Sequence, residues 1–199
     1  MRRSLARPHD AGSRVRAVLG SFCALLILCL PGSAVHGQGL PSEPELKAAF
    51  LLNLPKYIAW PPDRFAAPDA AFVIGVLGAS PIHEAVAPMA SKRNVGGRNI
   101  EVRRVTPREI EAGECHLVLV AAGELRRLEE LAGALAGGGV LLVGETEGFL
   151  DSGGTIALVA RDRKIALEIN LRSARAQGLS VSSKLLSIAS VVQGREEPR

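Results

Sequence analysis

Apolar residues dominate positions 46–60, where the run from Leu46 to Trp60 is polar only at Lys47, Asn53 and Lys56. That pattern wraps nearly the whole circumference of a helix, as in an element buried against a sheet or another helix. Ser42-Glu-Pro-Glu45 just ahead of it fits a capping box, and Pro44 falls in the first turn, where its missing N–H costs nothing. Pro61-Pro62 closes the predicted helix. Pro55, inside it, deletes the bond to the Leu51 carbonyl and predicts a kink.

Downstream the period changes. Phe72 to Leu77 is a short apolar run, the profile of a strand buried on both faces. Ser80 then caps a helix with Pro81 at its first position, running to about Met89. Asn94-Val-Gly-Gly97 reads as loop and Ile100 to Val105 as a half-buried strand, with a helical turn starting at Thr106-Pro-Arg-Glu109. Cys115 to Val120 is a further strand. Glu124 to Ala136 is a helix with Leu125, Leu128, Leu131 and Leu135 at helical spacing, ended by Gly137-Gly-Gly139 before the strand Val140–Val143.

Strand–helix alternation of this kind predicts a parallel sheet covered by helices. Thr155–Val159 and Lys164–Asn170 flank the turn Arg161-Asp-Arg163 and add a hairpin; helices over Leu171–Gln177 and Val181–Val192 close the chain. The expected fold is a three-layer α/β domain with a mixed, mostly parallel sheet, helices on both faces and a C-terminal β-hairpin and helix. It resembles a truncated Rossmann or flavodoxin-like domain.

Composition changes this picture at the amino end. Five arginines precede a short apolar stretch, Ala17–Leu30, and then small residues, the order of a secretory leader ending before Gln38. The stretch is short for a membrane span. The expected organisation is therefore a signal peptide over 1–37, cleaved on export to the periplasm, and one domain over 38–199. The whole chain carries 24 basic and 20 acidic residues, but residues 1–37 hold five Arg and one Asp, leaving 19 of each. The basic precursor charge is thus no argument for nucleic acid. Cys23 and Cys29 leave with the leader, so Cys115 has no partner for an internal disulfide.

No complete catalytic constellation emerges, and the expectation is a protein that is not an enzyme and takes no cofactor or metal. Cys115-His116 pairs a nucleophile with a base, but neighbours on a strand point to opposite faces, which predicts a core thiol beside an outward histidine. Ser182-Ser183-Lys184 lacks the Ser-x-x-Lys spacing of a hydrolase, since Val181 stands in the first position. The turn from Gly75 to Ser80 opens a helix, as phosphate-binding turns do, but lacks Gly-x-Gly-x-x-Gly. His36, His83 and His116 are scattered without metal-ligand spacing. Arg103-Arg104 and Arg126-Arg127 read as solvated faces, and Trp60 as a core anchor or an interface residue.

Two segments carry a resemblance. Lys47, Ala48, Ala49, Phe50, Leu51, Asn53, Lys56, Trp60 and Pro61 match the opening signature of the YfiR family, with Leu54 and Tyr57 conservative and Pro55 a departure. Leu167-Glu-Ile-Asn-Leu171 and Gly178-Leu-Ser-Val-Ser-Ser-Lys-Leu-Leu186 are similar to its C-terminal signature. Some members carry disulfides, which this chain cannot form internally. The resemblance implies the same fold class and a periplasmic repressor that binds the periplasmic sensing segment of an inner-membrane diguanylate cyclase, lowering cyclic di-GMP and biofilm formation. An outer-membrane lipoprotein and a second copy of the chain are further candidate partners. Asn53, Lys56, Trp60, Asn170 and Lys184 are the candidate partner- or ligand-binding residues. The alternative is a small-ligand sensing domain using the strand-end crevice near Gly78.

Overall fold

A computed structural model describes residues 40–162 and 164–193. The predicted leader lies outside the described residues. The first helix, α1, spans Glu43–Asn53, and Glu45 reaches back to Ser42, its carboxylate accepting from both the Ser42 amide and hydroxyl at 2.7 Å. It ends well short of Trp60, where the apolar run suggested it would stop. Pro55 ends it instead of kinking it: the chain tightens into a 3-10 turn over Leu54–Tyr57 and extends as β1, Ile58–Ala59. The aromatic and β-branched side chains of Tyr57-Ile58 suit extended backbone once the proline has removed the next helical donor.

The remaining elements follow in order. These are β2 (Phe72–Leu77), α2 (Pro81–Ala90), β3 (Asn94–Val95), β4 (Arg98–Arg104), α3 (Pro107–Glu111), β5 (Leu117–Val120), α4 (Leu125–Ala134) and β6 (Leu141–Gly144). The chain continues through β7 (Ile156–Arg161), β8 (Lys164–Asn170), α5 (Leu171–Ala176), β9 (Ser180–Val181), α6 (Ser183–Leu186) and β10 (Val191–Gln193). Eight strands form one sheet in the order β10-β8-β7-β6-β5-β2-β4-β3, while β1 and β9 pair separately. All neighbours are parallel except β7–β8 and β3–β4. The mixed, mostly parallel sheet is therefore as expected, with each outermost strand opposite in direction to the parallel centre.

Alternation along each central strand builds two cores. Leu117 and Leu119 of β5 point to the layer containing Leu51 of α1, Val86 of α2 and Leu185 of α6; Val118 and Val120 point to Ile110 of α3 and Leu128 and Leu131 of α4. Each fully buried leucine or isoleucine contributes roughly 1.5–3 kcal/mol of transfer free energy. Two assignments need correction. Asn94–Gly97, expected as loop, forms the hairpin β3–β4, with Gly96 and Gly97 both at positive φ as a two-residue primed turn requires. The closing segment Val181–Val192, expected as helix, has a single helical turn. Ser182 Oγ caps it and Ser187 Oγ bonds the Lys184 carbonyl, the local competition that makes serine-rich segments poor helices. Val191–Gln193 then pairs in parallel with β8.

Candidate functional site

The two signature segments, far apart in the chain, are laced together at the exit of α1. Ile58 and Ala59 pair with Val181 and Ser180, and the Ser182 amide donates to the Tyr57 carbonyl at 2.9 Å. Asn53 Nδ2 donates to the Ala49 carbonyl (2.9 Å) and its Oδ1 accepts from Lys56 Nζ (3.1 Å), so Lys56 lies along the helix end, exposed. Three grooves surround this ribbon. One of ≈ 360 Å³ is lined by Phe50, Asn53, Tyr57, Leu185 and Ile188, the last 61% exposed. A second, ≈ 230 Å³, runs beside the ribbon between Lys56 and Ser180–Ser182. The third, ≈ 390 Å³, has Lys56, Trp60, Phe65 and Arg98 in its walls.

Four of the five candidates thus gather in one region. Asn53, Lys56 and Trp60 line the grooves, and Lys184 is exposed on α6, whose Leu185 lines the first groove. Asn170 stands apart and serves the fold, with Oδ1 accepting the Ser173 amide as cap of α5 and Nδ2 donating to the Leu150 carbonyl. Lys47, the first polar residue of the signature, is buried, with Nζ 2.7 Å from Glu43 and 3.3 Å from Glu145; Glu145 also accepts from Ser80 Oγ at 2.9 Å. Near Gly78, Glu124 lies close against the turn, and a side chain at Gly78 would meet its Cγ at 2.6 Å. Glu124 and Glu145 thus place carboxylates beside a turn that resembles an anion site.

His116 is not outward. It is buried between Phe65 (ring centroids 4.7 Å apart, interplanar angle 13°) and Phe72 (5.1 Å, 24°), and its Nδ1 accepts the Val73 amide at 3.0 Å. Cys115 and His116 do point to opposite faces, but both precede β5 and run out of phase with it: Cys115 packs with Val118 and Val120, and His116 lies on the Phe72 side, covered there by residues 60–71. Burial, then the Arg64 and Arg98 guanidiniums, push the imidazole down to about 4. Burial pushes the Cys115 thiol up to about 11, which makes it unreactive. Melting temperature is accordingly expected to be the same with and without reductant; a fall on reduction would reveal a disulfide between chains.

Arg64 and Arg98, which no sequence motif singled out, organise this end of the sheet. Arg64 donates to the carbonyls of Gly113 (2.8 Å), Cys115 and Gly139 (3.3 Å), and Arg98 to those of Ala67 (2.7 Å) and Ala70 (2.9 Å) while lying over Phe65. Their partners are backbone oxygens, so no sequence pattern announces them. The Trp60 indole meets Phe72 edge-on at 5.2 Å and donates to the His116 carbonyl at 3.4 Å, the anchor role expected of it. Among the described residues no group of three or more His, Cys, Asp or Glu could hold a metal ion, and no helix is long and apolar enough to cross a membrane.

Solved structures resemble the fold. A conserved domain protein from Vibrio cholerae O1 biovar El Tor superposes with a TM-score of 0.52 at 12% identity, over 76% of this chain and 60% of that one. An ABC domain in complex with L-Trp from Streptococcus pneumonia gives 0.48 at 12% identity, over 75% and 60%. The chain therefore spans about 60% of the length of each of these solved chains. No curated protein matches it. The YfiR/HmsC-like family, DUF4154, matches residues 44–190, from the first turn of α1 through the turn after α6, and the chain belongs to that family.

Proposed function

We propose that this protein is an exported regulator that holds an inner-membrane diguanylate cyclase at low output by binding its periplasmic segment. The observation that carries the reading is the family match over residues 44–190, which takes in both segments that meet at the α1 exit. The binding surface is the grooved region around β1, β9 and α6. It offers apolar contact through Phe50, Tyr57 and Ile188, and two exposed ammonium groups, Lys56 and Lys184, at its edge. Such a surface acts by binding alone and asks no chemistry of its own residues. Control by binding requires unequal affinity: driving a cyclase from nearly all active to nearly all inactive takes about a 10⁴-fold preference for the inactive state.

Deleting the gene should raise cyclic di-GMP only where the cyclase is present. A version lacking residues 1–37 should fail to complement, because it never meets its partner. The surface is tested by combining Lys56→Glu with Lys184→Glu. Both side chains are exposed, so melting should stay close to wild type while cyclic di-GMP rises towards the deletion level. Unchanged cyclic di-GMP in the deletion strain, with no cyclase recovered on the protein from membranes, removes the reading. Full repression by the double variant moves the surface elsewhere.

A further inference from the structure

Residues 60–71 connect β1 to β2 without pairing to any strand, and Pro62–Arg64 is their one helical turn. They lie as a strap over the residues before β5 and before β6, held to the backbone of Gly113, Cys115, His116 and Gly139 by Trp60 and Arg64 and to the His116 ring by Phe65. Phe65 stacks on the His116 ring, Trp60 donates to the His116 carbonyl, and Arg64 binds the carbonyl of Cys115 next to it. Arg98 of β4 ties down Ala67 and Ala70 and lies over Phe65. On the sheet side, Phe72 stacks on His116 and the Val73 amide donates to Nδ1. A backbone amide can only donate, so this arrangement requires an unprotonated Nδ1.

The charged groups acting on the ring are Arg64 from the strap and Arg98 from β4, both cations. Phe72 and Val73 of β2 bring no charge, and on the β5 side the neighbouring Cys115 is a neutral thiol. Asp63 and Asp69 on the strap are exposed, and Glu114, also exposed, is engaged with Arg103 at 2.6 Å. A proton on Nδ1 turns the Val73 contact into two opposed donors and places a third positive charge beside two others. The weak cation–π attraction of the phenyl faces and a hydrogen bond with the Arg64 backbone favour the proton, and burial with the two guanidiniums outweighs them. The sheet ladder proper starts one residue later, at Ile74 and Leu117, and does not use the ring.

We propose that residues 60–71 are an acid-released latch: protonation of His116 detaches the strap and dismantles the Trp60–Phe65–Arg98 groove while the sheet stays folded. The low proton affinity of the buried ring agrees in sign. Its folded value of about 4 lies below the ordinary 6.5, so between the two the unfolded or released state binds more protons. Attachment is complete above about pH 6.5 and is lost as pH falls towards 4. This inference stands independently of the cyclase reading.

Trp60 is the chain's one tryptophan and reports on the strap directly. Protein expressed from the full reading frame and purified as the cell processes it is titrated from pH 7 to 3, following Trp60 emission and far-UV circular dichroism together. The expected result is an emission change with its midpoint near pH 4 while the dichroism holds. His116→Asn keeps an acceptor near the Val73 amide, keeps every carboxylate and cannot titrate, so its emission should stay flat until global acid unfolding. NMR titration of the His116 ring in the wild type supplies a second measurement that needs no variant; its midpoint should coincide with that of Trp60. The proposal is overturned if emission and dichroism change together, if Trp60 does not respond before unfolding, if the variant shows the same transition, or if His116 titrates apart from Trp60.

Discussion

Phe149→Ala is expected to destabilise the protein by about 3–5 kcal/mol, the cost of deleting a fully enclosed aromatic ring. Phe149 is 1% exposed, in the connection between β6 and β7. Its ring is seated between two glycines. A Cβ on Gly144 would fall 2.2 Å from Phe149 Cδ2, and one on Gly154 would fall 2.1 Å from Cε1. Gly154→Ala should therefore destabilise by overpacking, by roughly 1–3 kcal/mol or more. In the combined variant the new methyl group moves into space the ring has vacated, so the pair should cost less than the sum of the two changes. Urea unfolding of the two single variants and the double variant measures the coupling. Strict additivity would mean that ring and glycine do not meet.

Much of this architecture was legible because central strands buried on both faces leave a simple mark. Phe72–Leu77, Leu117–Val120 and Leu141–Gly144 are almost uninterrupted apolar runs, and each sits in the parallel centre of the sheet. The helices read well where a cap or an apolar stripe was clear, as Ser80 ahead of Pro81 and Ile82, or Leu128 with Leu131. The errors fell where a local signal was outweighed from a distance. Residues 57–59 carry enough apolar character to extend α1, but Ser180–Val181 supplies strand partners that only the folded chain brings near. Val191–Gln193 likewise becomes a strand because β8 leaves an open edge for it.

The candidate residues are placed in part as their segments suggested. Asn53, Lys56, Trp60 and Lys184 gather around one ribbon because the two signature segments are joined there by backbone pairing. Asn170 carries an equally conspicuous signature position, yet both its polar atoms are spent on α5 and the Leu150 carbonyl. A signature residue spent on the fold and one left at the surface look the same in a string of letters. His116 shows the converse: it faces away from Cys115 as expected, though outside the strand, and its burial depended on a proline-rich connection with no periodicity to analyse.

Arg64→Ala is expected to cost about 3 kcal/mol, because the substitution strips three carbonyls at one sheet end of their donor. The guanidinium is partly buried and burial lowers its proton affinity, but the side chain stays charged at every pH in which the protein folds. Water can reach part of the vacated space, which keeps the loss below that of three fully enclosed acceptors. Two further substitutions separate the contributions. Arg64→Met keeps apolar packing over Gly139, where the Arg64 Cδ now lies 2.9 Å from the place a Cβ would take, but supplies no donor. Arg64→Lys keeps the charge and offers a single ammonium where a planar fork reached carbonyls on two separate segments. Midpoints of urea unfolding should fall in the order wild type, Lys, Met, Ala. If Met matches the wild type, the hydrogen bonds contribute nothing net and packing over Gly139 is the whole effect. If Lys is as poor as Ala, the geometry of the fork outweighs the charge it carries.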